Sequence, residues 1–143
     1  MKKLIVLLFL FVPLISPGQI EFSEIVENEK VGEIVMFHTF LIELQYNKET
    51  QNYIFLFRDG NYQAIIEIKS FIIAKSDIET FYDTILKYIP NKDKKELEVK
   101  LTNGDKLTLK FKKKKVQFLL WNGVTLSPSS YFSERQIKKL FNR

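Results

Sequence analysis

Residues 97–121 read LEVKLTNGDKLTLKFKKKKVQFLLW, and they alternate between apolar and polar side chains over most of their length. A period of two is typical of β-strands that bury one face. Two turn signals divide the stretch, Asn103-Gly104 and the lysine run 112–115. The stretch therefore predicts three antiparallel strands joined by two tight hairpins.

The phase of the apolar side chains predicts how these strands pair. A three-residue loop at residues 103–105 places Leu101 opposite Leu107, whereas a two-residue turn would mix the two faces. A two-residue tip at Lys113-Lys114 keeps the apolar side chains of the next hairpin on the same face.

Two helices are predicted. Ser76 and Glu79 form a capping box at the start of a helix over residues 77–89, and Ser133 and Gln136 form another at the start of a C-terminal helix. The first helix carries one apolar stripe. The residues of this stripe are Ile78, Phe81, Tyr82, Ile85, Leu86 and Ile89.

Three more strands are predicted before the first helix. Residues 34–46 are apolar on both faces at first and then alternate, which indicates a strand whose first part is covered on both sides. Residues 52–58 and 62–74 form the next two strands, and a change of phase near Ser70 predicts a β-bulge. The acidic residues 19–33 form a lead-in segment or a short edge strand.

The fold class predicted from this order is α+β. An antiparallel sheet of about six strands, in the order β-β-β-α-β-β-β-α, packs the two helices on one face. The alternative is a strongly curved, barrel-like sheet that is plugged by a helix.

The N-terminus is predicted to be a signal peptide over residues 1–18. Lys2 and Lys3 precede the apolar run 4–12, and the small residue Gly18 suits a cleavage site. We expect an exported protein, periplasmic or secreted, with a single domain over residues 34–143 and no transmembrane segment in the mature chain. An uncleaved N-terminal anchor is the alternative.

Composition excludes several classes of function. The 143 residues include no cysteine and one histidine, so disulfide scaffolds, thiol nucleophiles, Cys-ligated metals and sites that need two histidines are ruled out. The net charge of +5 is unevenly distributed along the chain. Residues 19–83 hold 12 acids and 5 bases, whereas residues 84–143 hold 5 acids and 15 bases.

Few residues suggest catalysis. The lone histidine, His38, falls on an apolar strand face and is interpreted as a structural residue, with a general base as the alternative. Glu43 and Glu67 are the candidates for a pair of catalytic carboxylates, although a solvated strand face explains them as well. We therefore expect no catalytic residues, no metal site and no cofactor.

An aromatic stripe is a candidate binding patch. Tyr53, Phe55 and Phe57 recur at a period of two, and Tyr62 follows across a turn. Such a stripe could stack on a sugar or face a lipid, but the same pattern is typical of a core strand.

The lysine-rich hairpins are the main candidate binding site. Like charges repel at a hairpin tip unless solvent or a partner screens them. Lysine offers point charges rather than the forked hydrogen bonds of arginine, so sequence-specific nucleic-acid binding is not expected. Protection of a strand edge, or neutralisation of the acidic half of the chain, are the structural alternatives. The candidate residues are Lys100, Lys106, Lys110, Lys112, Lys113, Lys114 and Lys115.

Three functions follow from these patterns. The first is an exported, non-catalytic binding module that contacts an anionic envelope polymer or an acidic protein. The second is a small carrier of a hydrophobic ligand or lipid, and the third is a small hydrolase that uses carboxylates.

Overall fold

The computed structural model describes residues 27–143, and the predicted signal peptide and the first part of the lead-in segment lie outside this range. Eight strands and two helices follow one another in the order ββββαββββα. They are β1 (Glu29–Met36), β2 (Thr39–Asn47), β3 (Asn52–Arg58), β4 (Ile68–Ala74), α1 (Ile78–Tyr88), β5 (Lys95–Lys100), β6 (Lys106–Lys112), β7 (Lys115–Trp121), β8 (Leu126–Ser133) and α2 (Glu134–Leu140).

The strands form two antiparallel sheets. Sheet A has the order β1-β2-β3-β4 and sheet B has the order β5-β6-β7-β8. The predicted α+β class with antiparallel pairing is confirmed. The prediction of one sheet of about six strands is wrong in detail, and the described residues form no closed barrel.

One extra strand arises because residues 34–46 are a hairpin rather than a single strand. Phe37 and His38 form its two-residue tip, with φ values of 50° and 62°. Positive φ at both central residues matches a type I′ turn, which usually contains Asn and Gly. Because neither residue type is present here, the sequence pattern gives no turn signal.

The second extra strand, β8, occupies a stretch that was predicted to be a polar loop. It lies at the edge of sheet B, where Pro128 needs no ladder hydrogen bond. The register of β8 against β7 shifts between Gln117 and Leu119, and the Phe118 N–H donates there to the Ser129 hydroxyl at 2.9 Å. A buried serine side chain thus replaces a backbone acceptor.

Strand β4 is shorter than the predicted strand over residues 62–74. Its pairing with β3 is regular from Ile68 to Ala74, so the bulge predicted near Ser70 is wrong. Phe71 and Ile73 face the core, while Ile66 and Ile68 are exposed. The apolar pattern changes phase here because the residues before Ile68 belong to a loop, and not because β4 is irregular.

The two sheets meet through aromatic side chains. Phe118 of sheet B lies 6.3 Å from Phe55 and 5.6 Å from Phe71 of sheet A, measured between ring centroids. Edge strand β8 runs past the ends of β2 and β3, and the Gly60 N–H donates to the Pro128 carbonyl at 2.7 Å. One hydrophobic core therefore spans both sheets.

Both helices contribute to this core. The predicted stripe of α1 is confirmed, although Asp77 rather than Ser76 is the N-cap residue and no side-chain cap is formed. The capping box of Ser133 and Gln136 at α2 is confirmed. The end of α2 lies so close to β1 that a Cβ atom on Gly32 would stand 2.3 Å from the Leu140 carbonyl oxygen.

One of the two predicted hairpins of sheet B has the predicted pairing. The tip at Lys113-Lys114 is confirmed. The connection between β5 and β6 runs over residues 101–105, and Val99 rather than Leu101 faces Leu107, so the predicted loop over residues 103–105 and its pairing are wrong. Because the shift moves the pairing by two residues, the apolar face of the hairpin is preserved.

Candidate anion-binding surface

The tip of the β6–β7 hairpin concentrates positive charge. Lys113 and Lys114 occupy its two turn positions, with φ values of 51° and 59°, and Lys112 lies directly opposite Lys115. All four side chains are exposed, and none forms an ion pair within residues 27–143. We call Lys112–Lys115 the cationic tip.

Two of the other candidate lysines of sheet B, Lys106 and Lys110, have acidic neighbours. Lys100 lies opposite Lys106 at the far end of the hairpin, where the Lys106 ammonium is 4.0 Å from a Glu98 carboxylate oxygen. Lys110 lies opposite Glu96. Among the described residues, Lys106 is therefore the one candidate of the seven with an ion-pair partner, at 4.0 Å, and the cationic tip has none.

The acidic first half of the chain does not neutralise the cationic tip in the described part of the protein. Glu29 pairs with Lys48 at 3.2 Å, and Glu33 pairs with Lys30 at 2.9 Å. The hydrogen bond that Lys30 donates to Glu33 also raises the pKa of Lys30. These acids are paired with lysines of the same half of the chain.

The tip of the β1–β2 hairpin exposes apolar side chains. Phe37 is 92% exposed, and Val35 and Met36 are also exposed. We call Val35–His38 the aromatic tip. A nearly fully exposed phenylalanine in a left-handed conformation is unfavourable both in solvation and in backbone energy.

The two tips lie beside each other although they belong to different sheets. Phe37, Lys115 and Tyr131 line one groove with a volume of about 440 Å³. The amide of Gln136 reaches the Met36 sulfur at 3.6 Å, so the start of α2 contacts the aromatic tip. Edge strand β8 and α2 thus connect the aromatic tip to the cationic tip.

Helix α2 extends the basic surface, and sequence reasoning missed this contribution. Arg135 and Lys139 are exposed and line a groove of about 1190 Å³ together with Val35 and Met36. Lys138 is paired with Glu134 at 2.7 Å, and this hydrogen bond raises the pKa of Lys138. The basic residues of the C-terminal helix were visible in the sequence, but their position beside residues 35–37 depends on tertiary packing.

The four candidate aromatic residues do not form one surface. Phe55 and Phe57 are completely buried in the core. Tyr53 is half-buried, with its ring 4.8 Å from that of Tyr46. Tyr62 lies in the loop between β3 and β4. Tyr62 is exposed there, and Phe37 is exposed separately at the aromatic tip.

The candidate catalytic residues lie on three different parts of sheet A, namely the β1–β2 turn, strand β2 and the residue before β4. His38 is exposed at the aromatic tip, so its predicted place on an apolar strand face is wrong. Glu43 accepts a hydrogen bond from Gln45 and lies 3.6 Å from Lys30, while Glu67 pairs with Lys69 at 3.3 Å. Within residues 27–143, no group of three or more His, Asp or Glu side chains could hold a metal ion.

Comparison with protein-family models, with curated proteins and with solved structures finds no match for this chain. Within the described residues, no helix combines the length and hydropathy that a membrane span needs. Function is therefore inferred from the geometry of the chain itself.

Proposed function

We propose that the protein is an exported, non-catalytic binding module that contacts an anionic partner in the cell envelope through the cationic tip. The observation that carries this proposal is the placement of four exposed lysines on one two-residue hairpin, with no acidic partner among the described residues. Repulsion at such a tip decreases when an anionic partner screens it.

The distribution of charge over the two sheets supports the same proposal. Sheet A is built from the acidic half of the chain, and sheet B is built from the basic half. A molecule that is polarised in this way is oriented by an anionic surface before contact, because the field acts on the whole charge distribution. The basic sheet B then faces the anionic surface as the protein approaches it.

Charge reversal tests this proposal. The variant Lys113→Glu/Lys114→Glu is compared with Lys100→Glu/Lys106→Glu, which changes the net charge equally but lies about 20 Å away along β6. Soluble poly-glutamate and vesicles that contain phosphatidylglycerol serve as anionic probes. We expect the tip variant to lose binding to both probes and the control to keep most of it, and binding to weaken as salt rises. Equal binding of the two variants would contradict the proposal.

A hydrophobic-ligand carrier is the second candidate, and one groove favours it. This groove has a volume of about 420 Å³ and lies between α1 and the edge strands of the two sheets, where Ile72, Phe81 and Val99 line it. Its size and apolar lining fall within the range of small-molecule sites. A Val99→Glu substitution is expected to abolish binding of an apolar fluorescent probe, and unchanged binding would remove this candidate.

A further inference from the structure

The two neighbouring tips differ in chemistry, and together they restrict the kind of anionic partner. The cationic tip on its own suits any polyanion. The aromatic tip adds a nearly fully exposed phenyl ring, together with exposed Val35 and Met36, beside Lys115. A sugar ring can stack on the phenyl ring, but a soluble polysaccharide or nucleic-acid backbone offers no continuous apolar layer for all three side chains.

We infer that the partner is the surface of a lipid bilayer that contains anionic phospholipid, with Phe37 inserted at the boundary between headgroups and acyl chains. This inference rests on the proposed function and specifies its partner. A bilayer offers negative headgroups and an apolar layer within about 5–10 Å of each other along its normal. Neighbouring lysines and a protruding aromatic side chain match that layering.

The shape of the aromatic tip also favours a bilayer. Phe37 and His38 protrude at a two-residue turn, and protein partners usually cover a broad, flat area of about 800 Å² on each side. A narrow convex tip can enter a fluid interface without a preformed complementary pocket. The exposed position of the ring further means that insertion requires no rearrangement of the fold.

The cations around the tip are arranged for the same role. Lys115, Arg135 and Lys139 line the groove beside Val35 and Met36. Each Lys or Arg near an anionic leaflet raises membrane partitioning by roughly fivefold, and long lysine stems let the ammonium remain among the headgroups. Neither tip alone is sufficient for stable membrane binding, because a single weak anchor gives only marginal binding.

Vesicle binding of matched variants tests this inference. The protein is used in the form recovered from the producing cell, and every variant carries the same N-terminus. Sedimentation measures binding to phosphatidylcholine vesicles with and without phosphatidylglycerol. Phe37→Ser removes the exposed phenyl ring of the aromatic tip. The control, Val124→Ser, removes an exposed apolar side chain from the loop after β7, about 20 Å from Lys115 along that strand.

We expect Phe37→Ser to bind phosphatidylglycerol vesicles about tenfold more weakly while it binds poly-glutamate as the unmodified protein does. Val124→Ser is expected to match the unmodified protein on both probes. Unchanged vesicle binding of Phe37→Ser, or an equal loss in Val124→Ser, would overturn the bilayer inference. If Lys113→Glu/Lys114→Glu still loses binding to both probes in that case, the proposed function stands. The partner of the protein is then a soluble polyanion or an acidic protein.

Discussion

The cationic tip and the aromatic tip have the same backbone and opposite chemistry. Each is a two-residue hairpin turn in which both residues have positive φ and neither is glycine. One tip presents Lys113 and Lys114, and the other presents Phe37 and His38. Turns of this type are more stable with Asn-Gly, so both tips retain side chains at a cost to the stability of the fold.

The difference between the tips indicates what each one supplies. The cationic tip provides long-range attraction, which depends on ionic strength. The aromatic tip provides short-range burial of apolar surface, which salt does not weaken. Because the two tips belong to different sheets, they can act on one surface only if the sheets hold a fixed relative position.

The largest effect is expected at the junction between the sheets. Phe118→Ala removes the ring that packs against Phe55 and Phe71, and it should lower the free energy of unfolding by about 4 kcal/mol. The control, Val124→Ala, changes an exposed loop residue and should cost about 0.5 kcal/mol or less. Urea unfolding measures both. A loss of less than about 1 kcal/mol in Phe118→Ala would show that this ring does not join the sheets.

The next largest loss of stability is expected where the end of α2 packs against β1. Gly32→Ala places a methyl group 2.3 Å from the Leu140 carbonyl oxygen and should cost about 2–3 kcal/mol. Gly104→Ala is the matched control, because its methyl group meets no atom within 4 Å but its φ of +88° is unfavourable for alanine. We expect the control to cost about 1 kcal/mol. An equal loss of stability in the two variants, measured by thermal unfolding, would contradict the close contact between α2 and β1.

Replacement of each tip by a favourable turn compares the two tips directly. Lys113→Asn/Lys114→Gly and Phe37→Asn/His38→Gly should each raise the free energy of unfolding by about 1 kcal/mol, because the left-handed strain is removed. At low ionic strength the gain should be larger at the cationic tip, since repulsion with Lys112 and Lys115 is also relieved. Equal gains at low salt would show that the lysines do not repel one another measurably.

The smallest effect is expected at the C-terminus. The hydrogen bond from Arg143 lowers the pKa of Glu79 below its ordinary value of 4.5. A carboxylate with a lowered pKa in the folded state stabilises the fold above its unfolded pKa, and this contribution is lost as the pH falls through the folded pKa. Below pH 4.5, the unfolding temperature of Glu79→Gln should therefore fall less steeply with decreasing pH than that of the unmodified protein. The same pH dependence in both proteins would show that the ion pair between Glu79 and Arg143 does not stabilise the fold.

The cationic tip could be predicted from the sequence because its evidence is local. The alternation around Lys112–Lys115 fixes both the turn and the face of each lysine. The aromatic tip could not be predicted in this way. Residues 35–38 contain no Gly, Asn or Pro, so their hydrophobic pattern was interpreted as a buried strand. Only the pairing of β1 with β2 exposes Phe37 as a turn residue.

The neighbourhood of the tips depends on long-range packing. Strand β8 brings sheet B to the ends of β2 and β3, but its Ser and Pro residues gave no strand signal. Its pairing relies on the Ser129 side chain and on an edge position, and neither is encoded in hydrophobic periodicity. The basic residues of α2 approach Met36 only through this arrangement.

A fluorescent reporter at the aromatic tip tests the insertion of residue 37 into a bilayer most directly. Trp121 is the only tryptophan of the chain and lies about 20 Å from Lys115 along β7. We compare Phe37→Trp/Trp121→Phe with the unmodified protein on phosphatidylglycerol vesicles, under conditions in which both sediment with the vesicles. We expect a blue shift of emission and quenching by brominated acyl chains for the tryptophan at position 37, and no change in the emission of Trp121. Bound protein whose tryptophan at position 37 keeps the emission of the free protein would contradict the insertion.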